Sequence, residues 1–149
     1  MSRIVLLDSS PLGLACHPQG NEIAQACQNW LAELSLRDYI AVIPEITDYE
    51  VRRELLRADK PRSIRRLDQL KQVFTYLPLT TATMLQAAEL WAVARRTGQP
   101  TADPKALDGD VILATQALLV QNDGHEVIVA TSNVGHLARF IATADWQAI

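Results

Sequence analysis

Arg3-Ile4-Val5-Leu6-Leu7-Asp8-Ser9-Ser10 is the stretch that decides how this chain folds. Its apolar residues run without a polar break from Ile4 to Leu7. That pattern suits a strand covered on both faces rather than one with a wet side. The strand stops on a carboxylate, Asp8, and Ser9, Ser10, Pro11 and Gly13 read as a loop behind it. Working outward, Asn21 is placed to cap a helix that runs to about Leu36, with Ile23, Ala26, Cys27, Trp30, Leu31 and Leu34 at helical spacing. Tyr39 to Ile43 reads as a second strand, closed by Pro44. Helices follow from about Glu45 to Ala58 and from Pro61 to about Val73. Phe74 to Leu79 is extended, and Thr80 begins a long Ala-rich helix ending near Gly98. Gln99 to Leu107, with Pro100 and Pro104, reads as a loop. Asp108 then opens a helix through about Gln121 that is apolar on nearly every side. Asn122-Asp123-Gly124 is a turn, Glu126 to Ala130 a strand, and a short helix and an extended segment near Ala144 to Ala148 close the chain.

Short apolar strands alternating with helices predict a parallel sheet covered on both faces. The 149 residues suit one domain, residues 1–149, large enough to bury a core. Hydrophobic residues are 48% and charged residues 21%, the proportions of an ordinary globular protein. No apolar run approaches the roughly 20 residues that span a bilayer, and the N-terminal apolar run stops at Asp8 without a cleavage-like site, so a cytoplasmic protein with no membrane partner is expected. Two cysteines, Cys16 and Cys27, do not make a disulfide scaffold, and with His17, His125 and His136 they form no zinc spacing. Net charge is −3, which argues against a uniformly basic nucleic-acid binder. Yet eight of the 14 basic residues (Arg52, Arg53, Arg57, Lys60, Arg62, Arg65, Arg66 and Lys71) fall in one block.

In sheets of this kind, active groups collect beyond the carboxyl ends of the strands. Asp8 sits just past the first strand. Glu50 lies in the first turns of the helix after the second, and Asp110 in the first turn of the buried helix. Carboxylates gathered this way repel one another unless a cation neutralises them. Oxygen-only ligands select Mg²⁺ or Mn²⁺ over zinc. A cation so held can polarise a phosphodiester and lower the pKa of water. Each acid also has a structural role open to it: Asp8 as a loop pin, Glu50 as an ion-pair partner of Arg53, and Asp108 as the N-cap of its helix. Arg53 and Arg57, three and seven residues beyond Glu50, are placed to grip a phosphate backbone, or to pair with Glu50 and Glu54. Arg62, Arg65 and Arg66 read equally as solvated surface.

Four segments together carry a resemblance: Ile4-Val5-Leu6-Leu7-Asp8-Ser9-Ser10-Pro11-Leu12-Gly13, Ile43-Pro44-Glu45-Ile46-Thr47-Asp48-Tyr49-Glu50-Val51, Leu107-Asp108-Gly109-Asp110-Val111-Ile112-Leu113-Ala114, and Ile128-Val129-Ala130-Thr131-Ser132-Asn133. In this order and spacing, the chain resembles the PIN-domain family, which includes the VapC-type toxins of bacterial toxin–antitoxin pairs. The resemblance implies a three-layer α/β/α sandwich with a central, mainly parallel sheet. It implies an Mg²⁺- or Mn²⁺-dependent endoribonuclease, an RNA substrate, a cognate antitoxin and a homodimer. By motif position it implies Asp8, Glu50 and Asp110 as catalytic and metal-holding acids, with Asp108 assisting. Ser9, Thr131 and Asn133 fall at supporting positions. Many relatives carry an aspartate in or just after the segment matched by Asn133 to His136; here it is Asn133-Val134-Gly135-His136, with no negative charge. That departure bears on a second metal and leaves open a catalytically weak fold that binds RNA or protein. A phosphatase is a weaker rival, since no Asp-x-Asp nucleophile or phosphate-cradling Gly loop is present.

Overall fold

A computed structural model describes residues 2–18, 20–97 and 104–149, the side chains of 104–107 excepted. Five strands, β1 (Arg3–Leu7), β2 (Tyr39–Pro44), β3 (Thr75–Leu77), β4 (Glu126–Thr131) and β5 (Thr143–Asp145), form one sheet in the order β3-β2-β1-β4-β5. Every pairing is parallel, including Val5 with Ala41 on one side of β1 and Val5 with Ile128 on the other. Helices α1 (Ser9–Ala15), α2 (Glu22–Leu34), α3 (Glu45–Arg57), α4 (Pro61–Val73), α5 (Thr81–Arg96), α6 (Pro104–Asn122) and α7 (Val134–Leu137) cover both faces. The expected three-layer α/β/α sandwich is therefore the architecture of the chain.

The alternation of β1 side chains divides the core. Val5 and Leu7 point into a cluster with Leu12, Cys27, Trp30, Leu34, Leu67 and Trp146, beneath α1, α2 and α4. Ile4 and Leu6 point into the opposite cluster with Leu113, Ala114, Ala117 and Leu137, beneath α6 and α7. Burying both faces is why the strand carries no polar residue. Trp30 and Trp146 meet at 5.6 Å between ring centroids and close the first cluster. No helix among the described residues is long and apolar enough to cross a membrane.

Three expectations are corrected. The segment expected as a loop after Asp8 is the helix α1. Asp8 caps it by accepting the Ser9 N–H, and Pro11 falls in the first turn, where a missing N–H costs nothing. The α6 helix starts at Pro104 rather than at Asp108, for the same reason, so Asp108 lies in its second turn and is not its cap. Residues 104–107 of the expected loop are thus helical, and the part at 99–103 lies outside the described residues. Finally, the closing segment is a short strand followed by a 3-10 turn, Trp146–Ala148, capped by Asp145.

Candidate functional site

The chain runs from β1 outward to β2 and β3, then returns to lay β4 on the other side of β1. The crevice between the carboxyl ends of β1 and β4 is the point where the order reverses, the place where such sheets bind ligands. Asp8 stands there. Its backbone N–H donates to Ala130 O at 3.0 Å, extending the β1–β4 ladder by one residue. Its Oδ1 accepts from Ser9 N at 2.7 Å and its Oδ2 from Thr131 Oγ1 at 2.8 Å. Thr131 Oγ1 in turn accepts from Asn133 N at 2.9 Å, and Ser10 Oγ accepts from Ser132 N at 2.9 Å. The supporting positions Ser9, Thr131 and Asn133 are therefore tied into one network around Asp8.

Glu50 reaches this crevice from the second turn of α3. Its Oε1 accepts from Ser9 Oγ at 3.4 Å. On its other side α6 passes so close that a Cβ on Gly109 would lie 2.8 Å from Glu50 Oε2. The other acids of α3 are engaged elsewhere. Glu45 Oε1 accepts from Leu79 N, Asp48 is held by Arg52 at 2.9 Å and Lys71 at 3.4 Å, and Glu54 pairs with Arg57 at 2.9 Å. Asp110 is half-buried on α6, with His136 Nδ1 3.7 Å from its Oδ2. That oxygen is buried and has no hydrogen-bond partner among the described residues.

The three carboxyls lie near enough to act on one another's charge. Burial, then the charge of Asp8, push the Asp110 carboxyl up to about 6, against the opposing pull of His136 and Arg139. Burial, then Asp8, also raise the Glu50 carboxyl, and Asp110 adds to the rise; Arg53 and the Ser9 hydroxyl oppose it. As placed, no three His, Cys, Asp or Glu side chains among the described residues close around one point as a finished ion site. The donor set is nonetheless all oxygen, mutually repelling, and includes an orphaned buried oxygen, features that suit a hard cation.

The remaining expected residues divide. Arg53 stacks over the Tyr49 ring at 5.0 Å and stays beside Glu50. Arg57 is fully solvent-facing and engaged by Glu54. Asp108 is exposed on a different surface, where it lines a hollow between α5 and α6 with Met84, Ala87 and Trp91. Two residues escaped the sequence reading. Gly109 lets the α6 backbone approach Glu50, and its place between two aspartates gave the only hint. Arg139, over the Phe140 ring at 4.5 Å, has Nε and Nη2 buried without a partner among the described residues. Nothing in a lone arginine after a short helix marks it in sequence. His136 lies at the rim of the crevice, its Nδ1 3.7 Å from Asp110 Oδ2 and 3.0 Å from the Asn133 amide.

No protein-family model matches the chain, and no curated protein matches it. Its fold is similar to chains in several solved complexes. VapBC2 from Rickettsia felis, bound to a DNA fragment from its promoter, matches with a TM-score of 0.73 and 16% identity, over 96% of this chain and 98% of that one. FitAcB from Neisseria gonorrhoeae matches at 0.69 and 23%, over 97% and 99%. VapBC-1 from nontypeable Haemophilus influenzae matches at 0.64 and 19%, over 97% and 98%. At these identities the likeness is one of fold.

Proposed function

We propose that this chain is a divalent-metal-dependent endoribonuclease that acts in the cytoplasm as the toxin of a toxin–antitoxin pair. The observation that carries the reading is the convergence of Asp8, Glu50 and Asp110 at the reversal point of the sheet, with a buried, unpartnered oxygen on Asp110. Such a cluster is electrostatically unfavourable by itself and is relieved by a cation. Asp8, Glu50 and Asp110 would hold Mg²⁺ or Mn²⁺, directly or through water, after small side-chain rotations. Asp108 faces elsewhere and is left out of the set. When bound, the ion supplies Lewis acidity toward a phosphodiester and lowers the pKa of water. Thr131 and Ser9 orient the carboxylates, and Arg53, beside Glu50, faces the substrate's phosphate. The likeness to chains in VapBC and FitAcB complexes supports the toxin role, a cognate antitoxin and a homodimer.

The test is cleavage of RNA by the purified protein with Mg²⁺ or Mn²⁺. Asp8→Asn and Asp110→Asn are expected to abolish it; retained cleavage in both overturns the assignment. Asn133 in place of an acid favours a second reading as a catalytically weak module that binds RNA or protein. Calorimetry separates the two: no Mn²⁺ uptake at millimolar metal, with RNA binding intact, selects the second.

A further inference from the structure

The basic block splits in the structure. On α3, Arg52 and Arg57 are neutralised by Asp48, Asp68 and Glu54, and Lys71 of α4 by Asp48. On the first turns of α4, Arg62, Arg65 and Arg66 make no ion pair with any described residue. They line one concavity of about 330 Å³ with His17, Gln28 and Gln69, and no carboxylate among the described residues contributes to its wall. Arg66 is steadied by donating from Nε to Ala15 O at 3.4 Å, and Gln28 by donating to His17 O at 3.1 Å.

This cluster works against the helix that bears it. Positions i, i+3 and i+4 share a face, so Arg62 repels Arg65 and Arg66, at a few tenths of a kcal/mol per pair. The three also crowd the N-terminal end of α4, where the helix dipole disfavours cations and the first turn holds no acidic residue. An anion in the concavity relieves both. The walls are polar apart from Pro18, which suits a nucleic-acid backbone better than a protein side chain seeking an apolar anchor. Helix α1 links the two sites: Asp8 caps its start, and His17 lies two residues past its end. At 1.5 Å per residue, the stretch from Asp8 to His17, on the wall of the concavity, spans roughly 10–14 Å along the α1 axis. That is about three or four phosphate steps at the ~3.4 Å axial spacing of a stacked strand.

We propose that His17, Arg62, Arg65 and Arg66, with Gln28 and Gln69, form a phosphate-binding subsite that holds the RNA backbone a few nucleotides from the acidic crevice. This rests on the nuclease reading and assigns it a second anchoring point. The test is anisotropy of a labelled single-stranded RNA of about 12 nucleotides with Mg²⁺, in an Asp8→Asn background that leaves the RNA intact. Arg62→Gln/Arg65→Gln/Arg66→Gln is compared with its parent across salt concentrations. The salt slope is expected to fall by about 2, and affinity at 0.1 M salt by roughly 100-fold, from about 0.7 counterions per contact. Arg62→Gln/Arg65→Gln, which alters exposed residues only, guards against misfolding and is expected to lose roughly 25-fold on the same basis. Unchanged RNA affinity and slope in both variants overturn the subsite. The neighbouring hollow of Leu31, Leu70, Val73 and Phe74 makes an acidic amphipathic peptide the competing occupant. Loss of such a peptide, with RNA binding kept, also overturns it. RNA held through these arginines but never cut by the unmutated protein sinks the nuclease reading and leaves the subsite standing.

Discussion

Thr131 Oγ1 donates a 2.8 Å hydrogen bond to Oδ2 of Asp8, joining residues 123 positions apart across the reversal point of the sheet. Thr131 is fully buried, and the same oxygen accepts from Asn133 N. One hydroxyl therefore orients a carboxylate and shapes the turn that leads to His136. Thr131→Val keeps the volume and removes the bond. A loss of about 1.5–3 kcal/mol is expected from chemical denaturation, typical of a hydrogen bond to a charged group. RNA cleavage should fall as well, and Thr131→Ser should restore most of both. A valine variant as stable as the parent contradicts this role.

Asp110 makes stability depend on pH and on metal. Its folded carboxyl titrates near 6, above its ordinary value of 3.8. The protonated form is therefore favoured by the fold, so the contribution is fully present below about pH 4. It is lost as pH rises through 6, by an amount of order 2–3 kcal/mol. Without metal, the melting temperature should fall across that window. Mn²⁺ should raise it, more at pH 7.5 than at pH 5, by the equivalent of about 2.7 kcal/mol at a hundred times the dissociation constant. Asp110→Asn should flatten the pH dependence and remove the Mn²⁺ shift. Differential scanning calorimetry reads both.

Gly109→Ala should separate stability from function. Alanine at this interior position of α6 favours the helix by up to about 1 kcal/mol. The new methyl would stand 2.8 Å from Glu50 Oε2, the mobile end of a side chain, so the backbone need not move. Glu50 must swing away instead. A melting temperature equal to or above that of the parent is expected, with weaker Mn²⁺ binding by calorimetry and reduced cleavage. Unchanged Mn²⁺ affinity would show that Glu50 is not a ligand.

Asp48, by contrast, is a structural acid. It is buried, and it anchors Arg52 and Lys71 beneath α3 and α4. Asp48→Ala leaves Lys71 without its carboxylate and Arg52 with Asp68 alone, and should destabilise by about 1.5–3 kcal/mol. Where the variant remains folded, its Mn²⁺-induced shift in melting temperature should match that of the parent. A selective loss of the Mn²⁺ response would instead put Asp48 in the metal site.

The strands and most helix starts were legible because their signals are local. Ile4 to Leu7 can only be buried on both faces, and Asn21 and Thr80 cap the helices that follow them, as expected. Position past a strand end likewise marked Asp8. Pro11 and Pro104 carry an ambiguous local signal, since a residue that breaks a helix interior is harmless in its first turn. The sequence alone, then, determined a parallel sheet wrapped by helices and a set of acids near one edge of it.

Which acids face one another was decided by tertiary structure. Asp48 and Glu50 lie two residues apart on α3, as do Asp108 and Asp110 on α6. Two positions on a helix point to different sides, so one member of each pair meets Asp8 and the other turns to Arg52 or to the surface of α5. The arginines of α4 divide from those of α3 on the same ground, by which carboxylates lie within reach once the helices pack. Charge at one position is a local property. Whether it is neutralised depends on distant residues, and only the folded chain sets those distances.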